Sequence, residues 1–135
     1  MNKEDKELLI KDISSRFPYG VILDIDTTNW RAPQGHINVK IEGFGILFDD
    51  TSLIINGSYY GDEYKPYLRP LSSMTEEEME ELLNIDKKRG IYSSRHLTWH
   101  IDGEIIDYLN KKMFDWRGLI PMGLALEASE GMYKI

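Results

Sequence analysis

The stretch "VILDIDTTNW" at residues 21–30 contains the side chains best suited by type to do chemistry. Asp24 and Asp26 stand two apart, directly after apolar residues, and Thr28 follows them. Residues two apart on a β-strand share one face, so the two carboxylates would project side by side. Paired carboxylates can attack a phosphoryl group, transfer a proton and bind a divalent cation. The same letters also fit a plain strand that ends in two aspartates.

The D-x-D-x-T pattern resembles the motif that opens the haloacid dehalogenase-like phosphatases. The resemblance implies that Asp24 is the nucleophile, that Asp26 protonates the leaving oxygen and that Thr28 supports them beside a magnesium ion. It also implies a phosphate-binding serine and a neutralising lysine. The chain offers Ser93 or Ser94 and Lys111 for these roles. The acidic magnesium ligands that the family places after the lysine have three poor candidates, which are Asp115, Glu127 and Glu130.

The elements around the motif argue against that function. The phosphatases are parallel α/β folds, in which the strand with the motif leads into a helical crossover of a dozen or more residues. Here "TTNWRAPQG" is a loop that leads straight into the alternating strand "HINVKIEG". The sequence therefore favours an antiparallel strand, with Val21, Leu23 and Ile25 in the core and both aspartates facing solvent.

A second group of candidate ligands lies in "HLTWH", which places His96 and His100 four residues apart. A zinc site needs at least three protein ligands, and the others would be His36, Asp102 or Glu104. The zinc-protease helix requires Glu directly after its first histidine, and Leu97 stands there. The pattern is more typical of two half-exposed histidines around a buried Trp99.

Aromatic residues concentrate in "YYGDEYKPYLRP". Tyrosine and arginine often supply binding energy at protein interfaces, and these tyrosines cannot all face one core. The alternative is an edge segment whose tyrosines pack partly on the sheet. The predicted contact surface comprises Tyr59, Tyr60, Tyr64, Tyr67 and Arg69, together with Trp30 and Arg31.

Composition narrows the classes of function. The net charge of −7 argues against general affinity for nucleic acid, and the densest acidic run, "EEEMEE", gives only weak support to nucleic-acid mimicry. The absence of cysteine excludes disulfides and thiol chemistry. No apolar run approaches the roughly 18 residues of a membrane helix, and the charged first residues do not resemble a secretory signal. We expect a cytoplasmic protein without a cofactor, folded as one domain over residues 1–135.

Three helices are predicted from periodicity and end signals. "KEDKELLIKDISSR" places Leu9 and Ile13 on one stripe and is stopped by Pro18. "TEEEMEELLNIDKKRG" has a capping box at its start, formed by Thr75 and Glu78, and a glycine stop at its end. A third helix is predicted over "GEIIDYLNKKM", with a further short turn capped by Asp115.

Between the first two helices the hydrophobic period changes to that of strands. "VILDI" and "HINVKIEG" predict two strands, and "GILF" and "SLIING" predict a hairpin around the turn "DDT". "YKPYLRPL" contains prolines at 66 and 70, which predicts an edge strand or a segment outside the sheet. The tail "LALEASEGMYKI" is interpreted as a last strand with a loose end.

Two blocks, "YKPYLRPLSSMTEEEMEEL" and "IDYLNKKMFDWRGLIPMGLALEA", resemble a group of short proteins of gut bacteria and their phages. Pro121 and Met122 stand where the resemblance implies a charged pair, so a helix is expected to break there. The group has no assigned activity, and no catalytic residue is implied. The resemblance implies a small accessory protein.

These observations predict an α+β fold, a small antiparallel sheet of four to five strands packed by about three helices. The function they favour is that of a non-enzymatic protein-binding or regulatory accessory protein, of phage or mobile-element origin. Its partner would be another protein, and an edge strand could also form a homodimer. The alternative is a metal-dependent hydrolase that uses either Asp24 and Asp26 or the histidine pair His96 and His100.

Overall fold

The computed structural model describes residues 2–28, 31–42, 44–46, 53–56, 58–61, 64–88 and 103–133. Within them the chain forms helices and strands of an α+β fold, as the sequence predicts. The helices span Lys3–Arg16 (α1), Glu76–Lys88 (α2) and Gly103–Lys111 (α3). The strands span Ile22–Asp26 (β1), His36–Lys40 (β2), Phe44–Ile46 (β3), Leu53–Ile55 (β4), Ser58–Gly61 (β5), Tyr64–Leu68 (β6) and Leu126–Glu127 (β7).

Helix α1 has the predicted bounds because local signals set both of its ends. The Asn2 side chain accepts a hydrogen bond from the Asp5 N–H at 2.8 Å and caps the first turn. After Arg16 the chain tightens into a 3₁₀ turn, and Gly20 then adopts φ +79°, which favours glycine. The apolar stripe of α1, with Leu9 and Ile13, is buried against the sheet.

The main sheet has the strand order β2-β1-β6-β7. β1 pairs antiparallel with both β2 and β6, which confirms the predicted direction of the strands around the aspartates. β6 and β7 run parallel, so the sheet is mixed and the purely antiparallel prediction is corrected. The physical reason lies in the long connection through α2 and α3, which returns the chain to the same end of the sheet before β7 begins.

The prediction that "YKPYLRPL" lies at an edge or outside the sheet is wrong, since β6 has β1 on one side and β7 on the other. The prolines are accommodated because β7 pairs only with Tyr67 and Leu68. Pro66 precedes that short pairing, and its ring faces the core side, where it is buried. Pro70 lies beyond the end of the strand and opens the 3₁₀ turn Leu71–Ser73.

Strands β3, β4 and β5 form a second antiparallel sheet in that order. The pairing of Phe44–Ile46 with Leu53–Ile55 confirms the predicted hairpin, while its "DDT" turn lies outside the described residues. Asn56, at φ +52°, links this sheet to the end of β2. Its amide donates to the Lys40 carbonyl at 3.0 Å, and its Oδ1 accepts from the Glu42 N–H at 2.7 Å.

Helix α2 starts with the predicted capping box. The Thr75 N–H donates to Glu78 Oε1 and the Glu78 N–H donates to Thr75 Oγ1, both at 3.1 Å. The Glu78 carboxylate also accepts hydrogen bonds from both terminal nitrogens of Arg69, each at 2.7 Å. The predicted Gly90 stop lies outside the described residues.

Helix α3 ends at Lys111, two residues before the predicted end. Met113 adopts φ +62°, and the bonds from Phe114 N–H to the Leu109 carbonyl and from Met113 N–H to the Asn110 carbonyl form a Schellman motif. Asp115 then caps a turn, as predicted, by accepting from the backbone N–H groups of Leu119 at 2.7 Å and Ile120 at 2.9 Å.

The core consists of two clusters. The larger one lies between α1 and the inner face of the main sheet, and the smaller one joins α2, α3 and Phe114. Among the described residues, no helix is both long enough and apolar enough to span a membrane.

Candidate functional site

The outer face of the main sheet, opposite α1, carries the polar residues of the sequence motif. In β1 the inward residues Leu23 and Ile25 are fully buried, so Asp24 and Asp26 project from the other face. The β1–β2 register places Asp26 across from His36 and Asp24 across from Asn38. The β1–β6 register adds Lys65 on the other side of Asp24. We call Asp24, Asp26, His36, Asn38, Lys65 and Tyr67 the polar face.

Asp24 and His36 form a hydrogen-bonded pair, with His36 Nδ1 2.9 Å from Asp24 Oδ2. Asp24 is only 6% exposed, so the prediction that it faces solvent is wrong. The reason is that β1 has a strand on each side and the His36 ring lies against the carboxylate. The hydrogen bond to Asp24 raises the pKa of His36. The His36 side chain is 64% exposed.

Asp26 is held differently. Its Oδ1 accepts hydrogen bonds from the Thr28 backbone N–H at 2.9 Å and from the Thr28 hydroxyl. These bonds lower the pKa of Asp26. Asp26 and Thr28 therefore form a local turn at the end of the strand. The adjacent Thr27 is buried and fixes the following loop, since its hydroxyl donates to the Gly35 carbonyl at 2.6 Å.

Tyr67 extends the polar face across β1. Its hydroxyl donates to Asn38 Oδ1 at 3.0 Å, so a side chain of β6 reaches a side chain of β2. Partial burial and the nearby Asp24 carboxylate raise the pKa of Tyr67. The predicted contact residue Tyr67 thus lies beside the Asp24–His36 pair, an association that the sequence did not reveal.

The outer edge of β2 carries backbone groups that do not pair with β1. The Thr27 N–H donates to the Gly35 carbonyl, and the Ile41 N–H donates to the Val21 carbonyl. The backbone N–H and C=O groups of the odd-numbered residues of β2 therefore point towards β1. The N–H and C=O groups of His36 and Asn38 therefore point outward. No described strand pairs with them.

Two residues of the predicted contact surface have structural roles. Tyr64 is 2% exposed and belongs to the main core cluster, so it is not available on the surface. Arg69 forms a bidentate ion pair with Glu78, and its guanidinium lies 4.2 Å from the centre of the Phe114 ring. Arg69 lines a cleft of about 700 Å³ beside α2, but these contacts already hold its charged group.

The remaining predicted residues belong to other elements or lie outside the described residues. Tyr59 and Tyr60 belong to β5 of the second sheet, and Arg31 lies on an exposed loop. Lys111 ends α3 and lines a cleft with Ile22 and Tyr133. Glu104 lies in the first turn of α3. The candidates that lie outside the described residues are Trp30, Ser93, Ser94, His96, Trp99, His100 and Asp102.

The described residues contain no group of three or more His, Cys, Asp and Glu side chains arranged to hold a metal ion. Within this part of the chain, the carboxylates of the aspartate motif accept hydrogen bonds from His36 and Thr28. The strict alternation of "HINVK" already placed His36 and Asn38 on one face, and this was the available signal for the pairing with Asp24. The sequence alone did not show the register in which β1 pairs with β2.

Comparison with known proteins adds no relative. No protein-family model matches this chain, and no curated protein or solved structure matches it.

Proposed function

We propose that this protein is a small accessory protein that binds another protein by accepting an extended segment at the outer edge of β2. The observation that carries the proposal is the row of outward backbone groups on His36 and Asn38, for which the described residues offer no strand partner. An edge of this kind can add a strand through main-chain hydrogen bonds, and the flanking side chains then select the sequence that binds.

The side chains of β2 define the chemistry of the bound segment. Ile37 and Val39 are half-buried on the inner face and pack against the main core cluster, so apolar residues of the segment can extend that cluster. His36 and Lys40 are exposed on the outer face, where they favour acceptor or acidic side chains. The preferred partner segment therefore alternates apolar with acidic or polar residues.

The length of the edge sets the strength of binding. Asn56 already occupies the Lys40 carbonyl and the Glu42 N–H. The available edge therefore runs from His36 to the Lys40 N–H, which is a short ladder. Such a contact falls at the small end of interface sizes and is expected to give a transient complex.

Replacement of Asn38 by proline tests the edge. The Asn38 N–H points away from β1, so Asn38→Pro removes an outward donor without removing a β1–β2 ladder bond. Asn38→Ala is the matched control, since it loses the same contact with Tyr67 but keeps the donor. Partners captured from the natural host's lysate should be retained by wild type and Asn38→Ala and lost by Asn38→Pro.

Two further results separate the edge from a general loss of folding. Thermal melts must show that Asn38→Pro remains folded, and the amides of His36 and Asn38 should exchange more slowly when a captured partner is added. Capture that survives in folded Asn38→Pro, or that fails equally in Asn38→Ala, would falsify binding through the main chain of β2.

The same edge fits a second copy of this chain. Antiparallel pairing about Ile37 places His36 opposite Asn38 of the second copy and avoids the capped Lys40 carbonyl. Sedimentation velocity distinguishes this occupant from a foreign one. A dimer that Asn38→Pro abolishes and Asn38→Ala preserves would identify the partner as the chain itself.

A second candidate function is metal-dependent phosphate-ester hydrolysis through Asp24 and Asp26. The observation that favours it is that both carboxylates project from one face of β1, next to His36. Turnover of p-nitrophenyl phosphate with Mg²⁺ or Mn²⁺ tests it. Hydrolysis that disappears in Asp24→Asn would support the enzyme, and equal rates in both proteins would exclude Asp24 from the reaction.

A further inference from the structure

A small cleft opens where the start of β1, the end of α3 and the last described residues meet. Its volume is about 280 Å³, and eight residues line it. Ile22, Met113, Met132 and the ring of Tyr133 give it an apolar lining. This volume lies just below the roughly 300–1,000 Å³ typical of small-molecule pockets, which suits a compact ligand.

Two lysines and no acidic residue line this cleft. Lys40 comes from the end of β2 and Lys111 from the last turn of α3, and both are exposed. No described carboxylate lies within ion-pair distance of either ammonium. In a chain with a net charge of −7, a site with two cations and no lining carboxylate is complementary to an anion.

The backbone holds Lys40 beside the cleft. Gly20 adopts φ +79°, and a Cβ added there would lie 2.7 Å from Lys40 Cε. The aliphatic stem of Lys40 therefore crosses Gly20 where a side chain would otherwise stand, which keeps its ammonium beside the apolar lining. Tyr133 is held in place by its hydroxyl, which forms hydrogen bonds with backbone groups of β1 and β6.

We propose that this cleft binds a small organic anion, a carboxylate with a compact apolar body. The apolar body would lie against Ile22, Met132 and Tyr133, and the carboxylate would lie between Lys40 and Lys111. This inference shares the Lys40 side chain with the edge of β2 but uses neither the outward backbone groups nor the Asp24–His36 pair, so either proposal can fail without the other.

Titration with three probes tests the match of charge and shape. The probes are 4-phenylbutyrate, the uncharged 4-phenylbutan-1-ol, and inorganic phosphate, which has charge without an apolar body. In ¹H–¹⁵N spectra, 4-phenylbutyrate should shift the amides of Gly20, Met113 and Tyr133 with a dissociation constant on the order of 1 mM or below. The alcohol should bind at least about fivefold more weakly, and phosphate should leave these amides unshifted at the same concentration.

Lysine variants assign the charge. Lys40→Gln and Lys111→Gln should each weaken 4-phenylbutyrate binding by about two- to fivefold, as expected for ion pairs open to water, and the double variant by about tenfold. Lys11→Gln on the exposed face of α1 is the matched control and should leave binding unchanged. Unshifted amides, equal affinity for acid and alcohol, equal shifts with phosphate, or an equal effect of Lys11→Gln would each overturn the proposal.

Discussion

At the scale of single residues, several polar side chains of this protein make two kinds of contact at once. Glu78 completes the capping box of α2 and also binds both terminal nitrogens of Arg69. Asp24 combines burial with a hydrogen bond to an exposed histidine. Because Glu78 and His36 are each held by a specific partner, their contributions to stability depend on pH in a direction that can be stated.

Replacing Glu78 with Gln keeps the size of the side chain and removes the charge that Arg69 binds. The Arg69 hydrogen bond lowers the pKa of Glu78 from 4.5 to about 2. A lowered folded-state pKa means that the stabilisation is present above about pH 4.5 and is lost as pH falls towards 2. We expect Glu78→Gln to lower the free energy of unfolding by about 1.5–3 kcal/mol at neutral pH.

Urea unfolding at pH 7 and pH 3 measures this effect, which should be smaller at the lower pH. Glu80→Gln, on the exposed side of the same helix, should change stability by less than about 0.5 kcal/mol. An undiminished difference at pH 3 would argue that the Arg69 contact is not electrostatic.

The Asp24–His36 pair predicts a titration in the opposite sense. The hydrogen bond that His36 donates to the Asp24 carboxylate raises the pKa of His36 above 6.5. A raised folded-state pKa means that the interaction stabilises the fold below about 6.5 and is lost as pH rises through the folded value. Asp24→Asn should therefore lower the His36 midpoint in an NMR titration, while Asp5→Asn on α1 should leave it in place. A midpoint unmoved by Asp24→Asn would mean that the pair does not persist in solution.

At the scale of elements, the last described residue, Tyr133, is bound to the main sheet. The Ile22 N–H donates to the Tyr133 hydroxyl at 2.9 Å, and that hydroxyl donates to the Tyr67 carbonyl at 2.7 Å. The described ladder between β1 and β6 stops at Leu23 and Pro66. The Tyr133 hydroxyl therefore takes the place of the next pair of ladder hydrogen bonds, and the tail joins the two strands.

Tyr133→Phe should weaken this junction. Removal of the hydroxyl leaves a backbone donor and a backbone acceptor without their partner, which costs about 1–3 kcal/mol. Chemical denaturation measures the loss, and faster exchange of the Ile22 amide locates it. Tyr19→Phe is the control, because Tyr19 is 41% exposed. Equal stability of Tyr133→Phe and wild type would show that water replaces the hydroxyl at no cost.

At the scale of the whole molecule, a buried cluster of charges connects the first helix to the segment after α3. Asp12 Oδ2 binds Arg16 Nε and Asp12 Oδ1 binds Arg117 Nη1, both at 2.9 Å. Asp12 and Arg16 are fully buried, and Arg117 stacks on Trp116 at 4.1 Å. One carboxylate therefore neutralises part of the charge of two guanidinium groups in the interior.

Asp12→Ala should be among the most destabilising single changes in this chain. It leaves two guanidinium groups largely buried without their carboxylate, and breaking a buried pair in this way costs about 3–5 kcal/mol. Asp107→Ala on the exposed face of α3 removes the same charge and should cost less than about 1 kcal/mol. The difference in urea midpoint between the two variants checks the prediction. Similar midpoints would mean that the ion pairs of Asp12 with Arg16 and Arg117 do not stabilise the fold.

The main secondary structure could be predicted because its signals are local. Helix α1 is bounded by a side-chain cap and by Pro18, and the start of α2 is set by contacts between Thr75 and Glu78, three residues apart. The end of α3 was predicted too late because no glycine marks it. Met113 adopts the left-handed conformation there, and the burial of its side chain in the core holds it in place.

The sequence by itself determined the antiparallel setting of the aspartates, since an alternating strand directly after a short loop leaves no room for a crossover. Only the tertiary structure decided that Asp24 forms a hydrogen bond with His36, that Tyr64 lies in the core and that the Tyr133 hydroxyl bridges β1 and β6. Tyr133 lies 111 positions from Ile22, and Arg117 lies 105 from Asp12. Contacts over such separations depend on register and packing, which the spacing of residue types along a chain does not encode.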